Sequence, residues 1–263
     1  MGDFTLSAEE IKNNWITLMG LIKKSFSNNP KRVEKLIDMY EDMQDTIMFS
    51  PASSYEHLHN AIHGGYVDHV IRVMKFSVKF YKTYKEIGMD VSNFEIQELL
   101  FAALNHDLGK IGFPGEDNSG YIPETSKWWK ENRGRHFTIN PNIPFGLVPD
   151  KSLYLLQRYG IECSWNEFLG IRIHDGPYDS ANEPYYNTFK PEANLRNNLP
   201  YILHTADMAA SRYEWERWIK HSNKIDTSRV DTVVTSNKEE TKLEKPKNEN
   251  INELGNFSDV FKE

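Results

Sequence analysis

Phe101-Ala102-Ala103-Leu104-Asn105-His106-Asp107-Leu108-Gly109-Lys110 is an apolar run that ends abruptly in an imidazole, a carboxylate, a glycine and a lysine. On a helix, Ile96, Leu100, Ala103 and Asp107 fall on one stripe at three- and four-residue steps, with His106 beside it. Both polar groups would then face the packed side. An ionised carboxylate buried without a counter-charge would protonate instead, whereas a divalent cation held by Asp107 and a neutral His106 removes the problem. The stretch therefore asks for a metal.

The chain has 263 residues, 39% hydrophobic and 26% charged, enough for one sizeable core, and we expect one domain followed by a tail. No apolar run reaches the roughly 18 to 20 residues that cross a bilayer, and the start Met1-Gly2-Asp3-Phe4 lacks the basic patch and apolar core of an export signal. Leu6 in place of Ser or Thr makes a poor myristoylation site. The single cysteine, Cys163, can form no internal disulfide and has no adjacent base, which fits a reducing, cytoplasmic setting. A net charge of -7 argues against broad non-specific binding to nucleic acid, which depends on neutralising many phosphates.

Helix signals recur from the N-terminus. Ser7 with Glu10 is a capping box before Ile11, Trp15, Leu18, Met19 and Ile22, and Asn29-Pro30 opens a second stripe of Val33, Leu36, Ile37 and Tyr40. These two helices, within residues 1–50, read as packing elements or a dimerisation arm. Met48 to Tyr55 reads as a loop. Gly64-Gly65 marks the start of a long helix whose stripe runs through His69, Val70, Val73, Phe76, Ser77, Phe80 and Tyr84. His57 and His59, ahead of it, read as solvated, and His63 as a group near substrate. Ser92 with Glu95 reads as the capping box of the helix that delivers His106 and Asp107. Residues 111–149 form a long irregular insertion, in which Trp128, Trp129, Arg133 and Arg135 could make a lid that stacks on a base and grips phosphate. Ser164 with Glu167 caps a helix carrying Phe168, Ile171 and His174. A later helix runs through Leu195, Leu199, Leu203, Ala206, Asp207, Ala210 and Tyr213, with Pro200 either a kink or its true start. Beyond Trp218 the composition turns to Ser, Thr, Asn, Lys and Glu, so residues 222–263 read as a disordered tail, with Phe257 to Phe261 as a short docking peptide or a frayed end. No strand-period alternation is evident. The expected fold is all-α.

Helices thus bring His69, the pair His106-Asp107, His174 and Asp207 into apolar faces, the way helical bundles build metal sites. Mixed imidazole and carboxylate donors suit Mn, Mg, Fe, Co, Ni or Zn, while one cysteine excludes a Cys-rich structural zinc site.

The order His69, then His-Asp-Leu-Gly-Lys at 106–110, then Asp207 within Ala-Asp-Met resembles the HD-domain metal-dependent phosphohydrolase superfamily over roughly residues 57–218. Within it, the pattern is most similar to the HD domains of bacterial 3′-to-5′ exoribonucleases. Gly64-Gly65 four residues before His69, His174-Asp175-Gly176, Pro191-Glu192-Ala193, and Arg212 five residues after Asp207 carry that likeness. The resemblance implies an HD-domain helical bundle over residues 51–221 that hydrolyses a phosphoester or phosphoanhydride of a nucleotide. It implies that His69, His106, Asp107 and Asp207 hold a first divalent ion, that Lys110 contacts substrate phosphate beside catalytic Asp107, and that His136 and His174 are the candidates for a second ion. His63, Arg133, Arg135 and Arg212 are the further substrate-contact candidates. Two departures stand out: no β-rich nucleic-acid module precedes the helices, and His174-Asp175 replaces the paired histidines common in those relatives. A nucleoside mono- or triphosphate is the expected substrate. A 3′-to-5′ exonuclease acting on single-stranded nucleic acid, and a non-catalytic regulatory protein whose tail docks a partner, are the alternatives.

Overall fold

The computed structural model describes residues 4–115, 118–188 and 190–222, and the expected tail beyond Ser222 lies outside them. The first helix, α1 (Ala8–Ser25), opens on the expected capping box, with the Ser7 hydroxyl accepting from the Glu10 amide. Asn29 caps α2 (Pro30–Asp42) in the same way, through the amide of Arg32. The segment from Met48 is only partly a loop, because α3 (Gln44–Phe49) takes in Met48 and Phe49.

The long helix α4 (Gly65–Glu86) starts where the paired glycines suggested. Gly64 adopts φ +78°, and a Cβ on Gly65 would lie 2.1 Å from the carbonyl oxygen of Asn60, so the loop before α4 is seated directly on the helix start. The next helix, α5 (Ile96–Asn105), begins one turn later than the sequence suggested. Ser92 is occupied with the Asp90 carboxylate, and Glu95 with Glu98 forms the capping box instead. The chain leaves α-geometry at Asp107, just after His106, and tightens into a 3₁₀ turn over Leu108–Lys110.

Between Ile111 and Leu147 the insertion is not wholly irregular. Strands β1 (Tyr121–Pro123) and β2 (Phe137–Ile139) pair antiparallel around α6 (Lys127–Arg133). Then come α7 (Val148–Arg158), α8 (Trp165–Arg172) on its Ser164–Glu167 capping box, a short α9 (Glu183–Tyr186), and α10 (Leu199–Ser222). Pro200 lies in the first turn of α10, where its missing amide hydrogen costs nothing.

Helix α4 packs against α10, α5 and α1, and α5 packs against α8. Leu18, Ile22, Leu36, Val70, Met74, Leu99, Leu104, Ile171 and Leu203 share one continuous apolar cluster, so α1 and α2 lie on the same core as the later helices. Each such side chain contributes about 1.5–3 kcal/mol of burial. Among the described residues, no helix is long and apolar enough to cross a membrane.

Candidate metal centre

Three histidines reach the centre of the α4, α5, α8 and α10 packing, each with Nδ1 engaged. His69, on the buried face of α4, has Nδ1 3.1 Å from a Glu214 oxygen. His106, at the C-terminal cap of α5, directs Nδ1 to the carbonyl of Ala103 at 2.9 Å, and His174, just past α8, to that of Ile171 at 2.8 Å. Because a carbonyl only accepts, Nδ1–H of His106 and His174 is the donor, which leaves Nε2 to face inward. These two donors lie beyond helix ends rather than on the helices, where the negative end of the helix dipole favours a cation.

The carboxylates come from the other side. Asp107 Oδ2 lies 3.8 Å from His69 Nε2 and 3.5 Å from His106 Nε2, and its Oδ1 lies 3.5 Å from His174 Nε2. Asp207 Oδ1 lies 3.1 Å from His69 Nε2 and 3.9 Å from His106 Nε2. The 3.1 Å approach lacks hydrogen-bond direction, so Nε2 of His69, like that of His106, is buried without a hydrogen-bond partner. Buried polar atoms left without a partner in this way are rare. Lys110 Nζ sits 2.6 Å from Asp107 Oδ2.

Donor atoms lie within 4.8 Å of one another in overlapping sets: His69, His106 and Asp207; His106, Asp107 and His174; His174, Asp175 and Asp207; and His59, His69 and Asp107. Donors around one ion at about 2.1 Å lie no more than about 4 Å apart, and the 3.1–3.9 Å separations between the imidazole nitrogens and the Asp107 and Asp207 oxygens, with their nitrogen–oxygen mixture, fit a divalent cation. The charge balance agrees. Burial pushes His69 and His174 down, but the acids around them outweigh it and raise His69 to about 10 and His174 to about 9, so protons neutralise the acids when no cation does. Burial alone dominates at His106 and takes it to about 4. Asp107 is held well below the usual carboxylate range; its burial is outweighed by Lys110 and His106.

Behind His69 lies a second polar cluster. Glu214, 1% exposed, is also bonded by Arg72 Nη1. Arg72 Nη2 reaches Asp68 at 3.1 Å, Arg217 bonds Asp68 at 2.6 Å and Asn60 Oδ1 at 2.9 Å, and Asn60 donates to Asp68 at 2.8 Å. Sequence reading missed Glu214, although Leu203, Asp207, Ala210 and Glu214 continue one stripe of α10.

His69, His106, Asp107, His174 and Asp207 come together, with Lys110 beside Asp107. The other expected site residues stand apart. His136 is pinned through its backbone to Ser54 and Glu124, and its Nε2 meets Glu56 at 3.0 Å, so it does not join His174. Arg212 points outward, 63% exposed, and pairs with Glu216, because five residues on from Asp207 is the far side of a helix. His63 is exposed against Phe137, Arg133 lies over Trp128, and Arg135 is stacked 4.0 Å from the Trp129 ring centre and paired with Glu124. His59, expected in solvent, instead turns Nε2 inward. Cys163 is half-buried, and burial pushes its thiol up to about 11, which removes any nucleophilic role at neutral pH.

The centre opens where Asp175 is 46% exposed. Asp175 also lines a cavity of about 380 Å³ with Leu147, Val148, Pro149, Tyr178 and Asp179. Comparison of the chain with protein-family models, curated proteins and solved structures returned no match.

Proposed function

We propose that this chain is a metal-dependent phosphohydrolase of the HD-domain kind, cleaving a phosphoester or phosphoanhydride of a small nucleotide. The observation that carries the reading is the pair of buried, partnerless imidazole nitrogens of His69 and His106 facing Asp107 and Asp207, with Lys110 alongside. His69, His106, Asp107 and Asp207 would hold the ion, and His174 with Asp175 would extend the donor set toward the opening. A divalent ion bound there lowers the pKa of a coordinated water and polarises phosphoryl oxygen.

The chain's own groups supply the rest. Lys110 stays cationic, since Asp107 outweighs the burial that would discharge it, and its ammonium stabilises charge developing on phosphoryl oxygens. Asp107 fixes Lys110, and its carboxylate is the group that would orient the attacking water. The hydrogen bonds at Nδ1 hold His69, His106 and His174 in one ring orientation, so little reorganisation is left for the reaction.

The mouth supports a small substrate. Tyr178, with 79% of its surface exposed, offers a stacking face for one base beside Asp175, while Asp175 and Asp179 repel the many phosphates of a polymer. The test is phosphate release over nucleoside mono- and triphosphates and single-stranded RNA and DNA, before and after exhaustive chelation. Hydrolysis of a nucleotide that stops on chelation, returns with Mn²⁺, and is abolished by Asp107→Ala with the helical circular dichroism kept is the expected result. Equal turnover after chelation removes the metal mechanism.

A further inference from the structure

Only one non-glycine residue among the described residues has a left-handed backbone, Asn60 at φ +42°, and it directly follows His59. Such a conformation costs about 1 kcal/mol or more and persists where surroundings over-determine it. Here they do. Asn60 donates to Asp68 at 2.8 Å and to the Gly65 carbonyl at 3.2 Å, and accepts from Arg217 at 2.9 Å. The His59 carbonyl accepts from the Ser53 hydroxyl at 2.7 Å, and Gly65 leaves space for the loop to rest on the helix start.

The result is a ring turned into the protein. The His59 imidazole lies 5.0 Å from that of His69, its Nε2 is buried without a hydrogen-bond partner, and its donor atom falls within 4.8 Å of those of His69 and Asp107. His57, two residues earlier, is exposed, its ring tilted against that of Tyr55 at 5.5 Å. A loop histidine has no need of a strained neighbour to sit in solvent.

We infer that His59 is a further ligand of the metal centre, presented by the left-handed Asn60 that Asp68 and Arg217 hold in place. This rests on the metal-centre reading above and adds to it a donor from outside the helices. The ion thereby cross-links the loop before α4 to α4 and to the turn after α5. Asp68 and Arg217, whose side chains bond Asn60 and no metal-donor atom, become positioning residues for it.

The test loads the full chain with Co²⁺ and compares wild type, His59→Ala, His59→Gln and His57→Ala, with circular dichroism as the check on folding. His59→Ala is expected to weaken Co²⁺ retention against a competing chelator at least tenfold and to change the visible ligand-field spectrum. His57→Ala should change neither, and His59→Gln, which keeps the side-chain bulk, should reproduce the loss if His59→Ala folds poorly. A wild-type spectrum and retention within twofold in the His59 variants overturns the assignment while leaving the centre standing. Failure of the wild-type chain to bind Co²⁺ overturns both.

Discussion

His69 separates two buried polar clusters, each built around two acids and opposite in state. On its Nδ1 side, Asp68, Arg72, Glu214, Arg217 and Asn60 bond one another. On its Nε2 side, Asp107, Asp207, His106 and His174 crowd together with imidazole nitrogens left unpaired. Both remove charge from water at considerable cost. The first pairs its charges internally and leaves only the Arg217 Nε–H without a partner; the second leaves the inward nitrogens of His69 and His106 so, with no fixed cation among its acids but Lys110. Buried charge alone therefore does not mark a site, whereas acids crowded against unpartnered imidazole nitrogens do.

The comparison can be broken most forcefully on the paired side. Arg72→Met leaves Asp68 and Glu214 buried with one cation fewer, and should destabilise the fold by about 3–5 kcal/mol, a drop in melting temperature on the order of 10 °C. Thermal denaturation of the ion-free variant measures it, and an unchanged melting point would show that the paired cluster is dispensable to folding.

Glu214→Gln sharpens the boundary. Its amide oxygen can still accept from His69, so folding should suffer less than in Arg72→Met. The weaker hold on the imidazole should lower divalent-ion affinity by about 10- to 100-fold, the usual effect of losing a partner behind a ligand. Calorimetric titration decides it; equal affinity would confine Glu214 to a structural part.

Protons provide the gentlest probe. With no ion, burial pushes His69 and His174 down, but Glu214 and Asp207 raise the first to about 10, and Asp107 and Asp175 raise the second to about 9. Both are charged at pH 7, above an ordinary imidazole value of about 6.5. Their contribution to ion-free stability is therefore fully present below about pH 6.5 and is lost as pH rises through about 9 and 10. An ion needs neutral imidazoles, so its binding at pH 7 should release about two protons, and affinity should climb with pH until both have titrated. Calorimetry in buffers of different ionisation enthalpy counts those protons, and no release would mean that the histidines are not ligands.

How far the chain could be read in advance depended on whether the signal was local. The donors on or beside helices, His69, His106, Asp107, His174 and Asp207, were legible because a titratable group on an apolar stripe stands out against period 3.6. His59 carries no such mark, since a loop has no period and the backbone of its neighbour Asn60 is held by Asp68, eight residues on, and by Arg217, far along the chain. Residues of the hairpin at 121–123 and 137–139 pair across an intervening helix, and three-residue strands are too short to alternate visibly. Ser92 failed as a cap because Asp90, two residues away, bonds it first. The Arg212 assignment came from the resemblance, and α10 turns that side chain away from Asp207 toward Glu216.

Asp207 and Glu214 approach His69 on its two nitrogens from a single helix, seven residues apart. One extra residue inserted between them would swing one acid about 100° away from the ring. That interval of α10 is a ruler cut to the width of an imidazole, and of all the lengths in the chain it should tolerate editing least.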